Sequence, residues 1–100
     1  MYDMKHLAKF KKMEEVSPEG LKAFMAFDAA AFKDGAIPAK YKELMAVAVA
    51  LTTQCPYCIE IHTKNAKKAG ATEQELAEVT LVAAALRAGG AMTHGTHTLE

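Results

Sequence analysis

Helix breakers stand at few, widely spaced places in this chain, and that spacing decides what it can fold into. Prolines fall only at 18, 38 and 56, and the stretches between them and the glycines at 35, 70, 89 and 90 are long enough for helices. Residues 3–15 carry Leu7, Phe10 and Met13 at helical spacing. Ser17-Pro18 reads as an N-cap followed by a first-turn proline, opening a helix to about residue 33. Its Leu21, Phe24, Met25, Phe27, Ala31 and Phe32 are expected to point inward, and Asp34-Gly35 to end it. Pro38 opens a third helix to about residue 53. Pro56 opens a fourth that ends at Gly70. Thr72 and Glu75 form a capping box for a fifth, expected to end at Gly89-Gly90, with a last turn or two in 91–98.

The third segment alternates in side-chain size over 45–51 and resembles a strand there. Its length without glycine or proline, and its Ala, Leu, Met, Lys and Glu content, decide for helix. Because it is apolar nearly all round, it is expected to be buried. The reading is therefore all-α: a compact bundle of five to six helices forming a single domain over residues 1–100. Half the residues are hydrophobic (51%), but only 7% are aromatic and twenty are alanine. Alanine buries little area per residue, so so small a domain gains by sharing its core. The apolar segments 44–51 and 79–86 predict a homo-oligomer on that ground.

Lys plus Arg balance Asp plus Glu at twelve each, which gives no basic footprint for nucleic acid. The lysines of residues 5–12 are offset at once by Glu14 and Glu15 and read as a solvated face. No signal peptide is seen, and the longest apolar run, 44–51, falls far short of the roughly 20 residues of a membrane span. A cytoplasmic location without membrane contact is the expectation. There a structural disulfide is disfavoured, so two cysteines three apart point to redox chemistry or metal.

Those cysteines lie in Cys55-Pro-Tyr-Cys58-Ile-Glu-Ile-His62. With Pro56 at the first helical position, Cys55 is near the N-cap and Cys58 in the first turn. There the helix dipole and free N–H groups favour thiolate over thiol. A two-residue gap also allows an intramolecular disulfide. His62 follows Cys58 by four and shares its face, so the imidazole is placed to take the thiol proton. An antiparallel hairpin turning near Gln54 brings Glu43 level with about Ala66, one turn beyond His62, where a bridging water would complete the link. A carboxylate behind a histidine sets its tautomer and raises its basicity. On this geometry Cys58, near the base, attacks an oxidant first. Cys55 then resolves the sulfenic acid as a disulfide and faces the reductant.

The set Glu43, Cys55, Cys58 and His62 closely resembles the alkylhydroperoxidase D-like branch of the carboxymuconolactone decarboxylase superfamily. The resemblance covers about residues 38–95, including the alanine-rich helix and Leu86-Arg-Ala-Gly-Gly-Ala-Met-Thr-His94. It implies an all-helical oligomer, commonly a trimer or hexamer, and thiol-dependent peroxide reduction without a cofactor or metal. It also implies that the second cysteine, Cys58, attacks the hydroperoxide, that Cys55 forms the disulfide, and that Glu43 and His62 relay the proton. The partners would be hydrogen peroxide or a small organic hydroperoxide and a thiol or dithiol reductant. Tyr57 stands where the alkylhydroperoxidase has histidine, and the chain spans about one copy of the family's helical unit. Superfamily decarboxylases generally lack the cysteine pair.

Two other readings compete. A metal module would use Cys55, Cys58, His62 and Glu43 as ligands, but three ligands within one short helical stretch suit tetrahedral zinc poorly. A lyase or isomerase on a small carbonyl acid would use Glu43 and His62 with bystander cysteines. Glu60 is expected off the Cys58–His62 face, Tyr57 at the site mouth or exposed, His6 exposed, and His94 and His97 in a flexible tail. Phe24, Phe27 and Phe32 are expected in the core, ahead of a reading as the wall of an apolar substrate pocket. Leu99-Glu100 carries no inference.

Overall fold

A computed structural model describes residues 2–100 of the chain. Five α-helices follow one another, with no strand among the described residues: α1 (Phe10–Val16), α2 (Pro18–Phe32), α3 (Ala39–Thr53), α4 (Pro56–Lys68) and α5 (Glu73–Gly95). The expected all-α class and the number of helices are borne out. The chain divides into two compact units, one ending at Ala39 and one from Lys40 to Glu100.

In the first unit the expected opening helix is split: Met4–Lys9 is a 3-10 helix capped by the Asp3 carboxylate, which accepts from the Lys5 N–H at 2.9 Å. Ser17 precedes α2 as expected, yet its hydroxyl makes no capping hydrogen bond. Ser17 sits at φ −142° and ψ 69°, outside the usual extended conformation of a capping residue. Of the six α2 residues expected to point inward, only Leu21 is buried, while Phe24 and Phe27 are 54% and 69% exposed. A pair of helices has one shared seam, so most of an apolar α2 finds nothing in its own unit to pack on. Lys33, in an extended conformation, ends α2; the Asp34 carboxylate accepts from the Ala39 N–H at 2.6 Å at the start of α3.

The second unit holds α3, α4 and α5. The expected burial of α3 holds for one face only: Leu44, Val47 and Ala50 are buried, whereas Met45 and Val49 are more than half exposed. With Ala66 of α4 and Ala83 of α5 they complete a thin core. Gly70 closes α4 at φ +100°, a left-handed conformation that a side chain disfavours. Its neighbour Ala71 donates back to the Ala66 carbonyl at 2.9 Å. The capping box is present: Thr72 Oγ1 accepts from the Glu75 N–H at 3.1 Å and Glu75 Oε1 from the Thr72 N–H at 2.9 Å. Lys40 ties the starts of α3 and α5 together through Glu75 at 3.1 Å.

The fifth helix overruns its expected stop. It continues through Gly89 and Gly90 to Gly95, 23 residues in all, and every residue from 84 to 94 is exposed. By length and composition alone, the helical stretch Glu73–Thr98 is apolar enough to cross a membrane. A search for uninterrupted apolar runs passes it over, because Arg87 and the small residues break the run.

Candidate redox site

The site is built in the second unit where α3 turns into α4. Gln54 makes the turn in the left-handed region at φ 57°, an uncommon conformation for a residue with a side chain. The Cys55 N–H donates to the Ala50 carbonyl at 3.1 Å, which docks the turn on the end of α3. Arg87 reaches across from α5 and donates to the Thr52 carbonyl, one of the acceptors that the end of α3 leaves without a helical partner.

Cys55 is the N-cap of α4 and Pro56 takes the first helical position. The cap's acceptor here is sulfur: Cys55 Sγ receives the Cys58 N–H at 3.4 Å. Both cysteines are free thiols of intermediate exposure, with sulfurs 2.8 Å apart. Disulfide closure therefore requires little backbone movement. The Cys55 thiol is held below its ordinary range, chiefly because the Cys58 thiol donates to its sulfur. The backbone N–H groups of Cys58 and, less strongly, Tyr57 act in the same direction. Slight burial opposes them. The N–H groups of the helix start thus contribute to the acidity of the capping sulfur, second to the neighbouring thiol.

His62 and Glu43 meet directly. Nδ1 of His62 lies 2.6 Å from Oε2 of Glu43, with side chains 18% and 12% exposed. The contact is direct, with no need of a bridging water. A glutamate side chain spans most of the rise of one helical turn, a reach that counting Cα positions leaves out. A residue the sequence reading passed over joins the pair: Asn65 Nδ2 lies 3.5 Å from the other carboxylate oxygen, Oε1. The signal was available, since Asn65 follows His62 by three and falls on the same face.

The structure thus forms two close pairs, Cys55 with Cys58 and Glu43 with His62. Cys58 and His62 connect them as (i, i+4) neighbours on α4. Glu60 points elsewhere, as expected, and pairs with Lys64 at 3.4 Å. His94 and His97 lie at the end of α5 and in the 3-10 turn after it, rings edge-on with centroids 5.3 Å apart, within ordered helical structure rather than a flexible tail. Among the described residues no group of three or more His, Cys, Asp or Glu side chains is arranged to hold a metal ion.

An acidified sulfur, a second sulfur in contact with it and a carboxylate-backed imidazole on the same helix can form and break a disulfide while moving protons. Comparison with known proteins places the chain in a wider group. The profile of the Carboxymuconolactone decarboxylase family matches residues 18–100. Among curated relatives, uncharacterized protein 4 of the cox locus of Paracoccus denitrificans is 48% identical over 77 residues, which are 77% of this chain and 69% of that protein. An uncharacterized protein of Haemophilus influenzae is 43% identical over 91 residues, 91% of this chain and 80% of that protein. The chain spans about two thirds of the length of the Paracoccus relative. Among solved structures, a carboxymuconolactone decarboxylase family protein from Legionella pneumophila, in its apo form, superposes with a TM-score of 0.78 at 36% identity, covering 82% of this chain and 73% of that one. A protein from Methanobacterium thermoautotrophicum gives a TM-score of 0.82 at 35% identity, covering 88% and 99%.

Proposed function

The chain belongs to the carboxymuconolactone decarboxylase family, and from that premise we propose that it is a thiol-dependent peroxidase of the alkylhydroperoxidase D-like type. The observation that carries this reading is the pairing of two thiols, sulfurs 2.8 Å apart, with an imidazole on the same helix that meets the Glu43 carboxylate of α3 at 2.6 Å. A decarboxylase or isomerase would need only the second pair.

In the proposed cycle His62 takes the proton from Cys58, and the imidazolium that forms is stabilised by Glu43. The Cys58 thiolate attacks the distal oxygen of a hydroperoxide; the O–O bond breaks and the alkoxide or hydroxide takes the proton from His62. Sulfur has then been oxidised by two electrons to the sulfenic acid, with release of an alcohol or water. The Cys55 thiol gives up its proton as its sulfur attacks the Cys58 sulfur; a disulfide forms, and the sulfenic hydroxyl takes that proton and leaves as water. An external dithiol supplies two electrons and two protons to restore both thiols, and becomes a disulfide itself. Cys58 makes the first attack because it shares the histidine's face. Cys55, whose sulfur touches that of Cys58, is placed for the second step.

A thiol count before and after one equivalent of hydrogen peroxide tests this. Both thiols should disappear and return with dithiothreitol. In Cys55→Ser one round of peroxide should be consumed, leaving a sulfenic acid that a dimedone probe traps on Cys58. Unchanged thiol counts, or normal steady-state turnover in Cys58→Ser, would overturn the proposal.

The working form is proposed to be a cytoplasmic homo-oligomer. Leu81, Val82, Leu86 and Met92 of α5 stand 58–76% exposed, beside Met45 and Val49 of α3. A bilayer suits this surface less well. The stretch between Glu78 and His94 rises only about 22 Å against a hydrocarbon core of about 30 Å, and Arg87 lies in its middle. A monomer by sedimentation velocity at micromolar concentration would remove this part of the reading.

A further inference from the structure

The carboxylate of Glu43 is held at both oxygens by one helix. Oε2 meets His62 Nδ1 at 2.6 Å, and Oε1 lies 3.5 Å from Asn65 Nδ2. Residues 58, 62 and 65 are spaced four and three apart on α4, so the first thiol to react, the imidazole and this amide line one face.

We propose that Asn65 is a positioning residue for the Glu43–His62 pair: its amide fixes the plane of the carboxylate so that Oε2 stays on the imidazole and His62 keeps its proton on Nδ1. This deepens the reading of the same site given above and rests on it for its catalytic consequence.

The terminal torsion of a glutamate is soft, so a carboxylate bonded through one oxygen swings readily. With the side chain only 12% exposed, water has limited access to the second oxygen, and a protein donor must satisfy it. The type of donor matters as well as its presence. A lysine or arginine here would compete with the imidazolium for the carboxylate's charge. A neutral amide orients the carboxylate and leaves its charge for His62. Held so, Glu43 sets the imidazole with Nδ1 bound and Nε2 on the other side of the ring, the tautomer a proton acceptor for Cys58 requires. Two cations on these elements are engaged elsewhere: Arg87 of α5 on the Thr52 carbonyl, and Lys64 with Glu60 on α4.

The test uses Asn65→Ala and Asn65→Gln, each alone and combined with Glu43→Gln. Alanine is the better helix former, so the variant helix is not weakened by its own propensity. Ring ¹⁵N and Nδ1–H resonances of His62 in the reduced full-length protein read the tautomer and its hydrogen bond without any turnover. Single-turnover oxidation by hydrogen peroxide reads the catalytic consequence. Asn65→Ala should broaden or lose the Nδ1–H resonance, mix the two tautomers and slow oxidation about tenfold, the loss of one hydrogen bond to a charged group. Asn65→Gln, whose longer amide still reaches Oε1, should restore most of both. In the Glu43→Gln background Asn65→Ala should change neither further. The proposal is overturned if Asn65→Ala leaves the His62 resonances at their wild-type positions, or if its effect is as large without the Glu43 carboxylate as with it. A protein that consumes no peroxide would defeat the peroxidase reading, while the resonances would still decide the role of Asn65.

Discussion

Replacing Glu43 by glutamine removes one negative charge and almost no volume, so it isolates what the carboxylate does for His62. The contact is 2.6 Å and both side chains are largely shielded, at 12% and 18% exposure. Full charges about 4 Å apart in surroundings of effective dielectric about 20 attract by ~4 kcal/mol, which sets a ceiling. The amide that replaces the carboxylate still accepts from Nδ1–H, and a hydrogen bond to a neutral acceptor is weaker than one to a charged acceptor by about 1–2 kcal/mol. The rate feels the part of that difference gained as the ring becomes an imidazolium on taking the Cys58 proton. The expected result is a fall of roughly five- to thirtyfold in the rate of single-turnover oxidation of the reduced protein, with circular dichroism unchanged. Rapid mixing with peroxide, acid quench and a thiol count measure it. A Glu43→Gln rate within twofold of wild type would refute the carboxylate's assigned role.

Other consequences follow from the same geometry. The Cys55 thiol is acidified first by the Cys58 side chain, so Cys58→Ala should move the pH midpoint of iodoacetamide alkylation at Cys55 upward and slow the reaction at pH 7. Cys58→Ser, whose hydroxyl still donates, should shift it less; identical profiles for the two variants would show that backbone N–H groups alone acidify Cys55. The Glu75 carboxyl is held below its usual range, by the Thr72 N–H first and then by Lys40. A depressed carboxyl stabilises the fold above the unfolded carboxylate range and ceases to do so as pH falls through its folded value. The stability deficit of Glu75→Gln should therefore be present at pH 7 and shrink on acidification, as urea unfolding at several pH values would reveal. Nothing lies within 4 Å of a methyl group added at Gly89 or Gly90 in the single chain. On a solvated helix, Gly89→Ala with Gly90→Ala would thus stabilise by about 2 kcal/mol. If a second copy packs closely against these glycines, the double variant should instead lower the melting temperature and the oligomer mass.

The local chemistry of the site was legible because its parts are close in sequence. Proline at the first helical position and a four-residue interval are sufficient to put Cys55 at a helix start and Cys58 on the face of His62. Glu43 is a non-local partner, and its depth depends on how the turn at Gln54 is made and how far a flexible side chain reaches. A left-handed residue at a glutamine has no marker in the sequence. The same uncertainty hid Asn65, whose importance is visible only once Glu43 is known to sit within reach of it.

The end of α5 was misread for a different reason, and that reason bears on what the protein does. A Gly-Gly pair is a helix stop by propensity, each glycine costing about 1 kcal/mol relative to alanine. Yet the helix runs on through it, exposed at every position from 84 to 94. Propensity is overridden in proteins by packing, and an isolated helical extension this short is marginal in water. In the second unit the buried residues are few: Leu44, Val47 and Ala50 of α3, Ala66 of α4, and of α5 itself only Ala83. The compensation for continuing α5 therefore has to come from outside the unit. A second chain provides it if the same apolar residues that lack cover within the monomer meet their counterparts there. Arg87 would then join the two ends of the problem. It sits within the exposed stretch, and its guanidinium holds the Thr52 carbonyl two residues before the turn at Gln54. Ordering this part of α5 by association would steady the peptide that presents Cys55, and peroxide turnover should rise with protein concentration across the assembly transition.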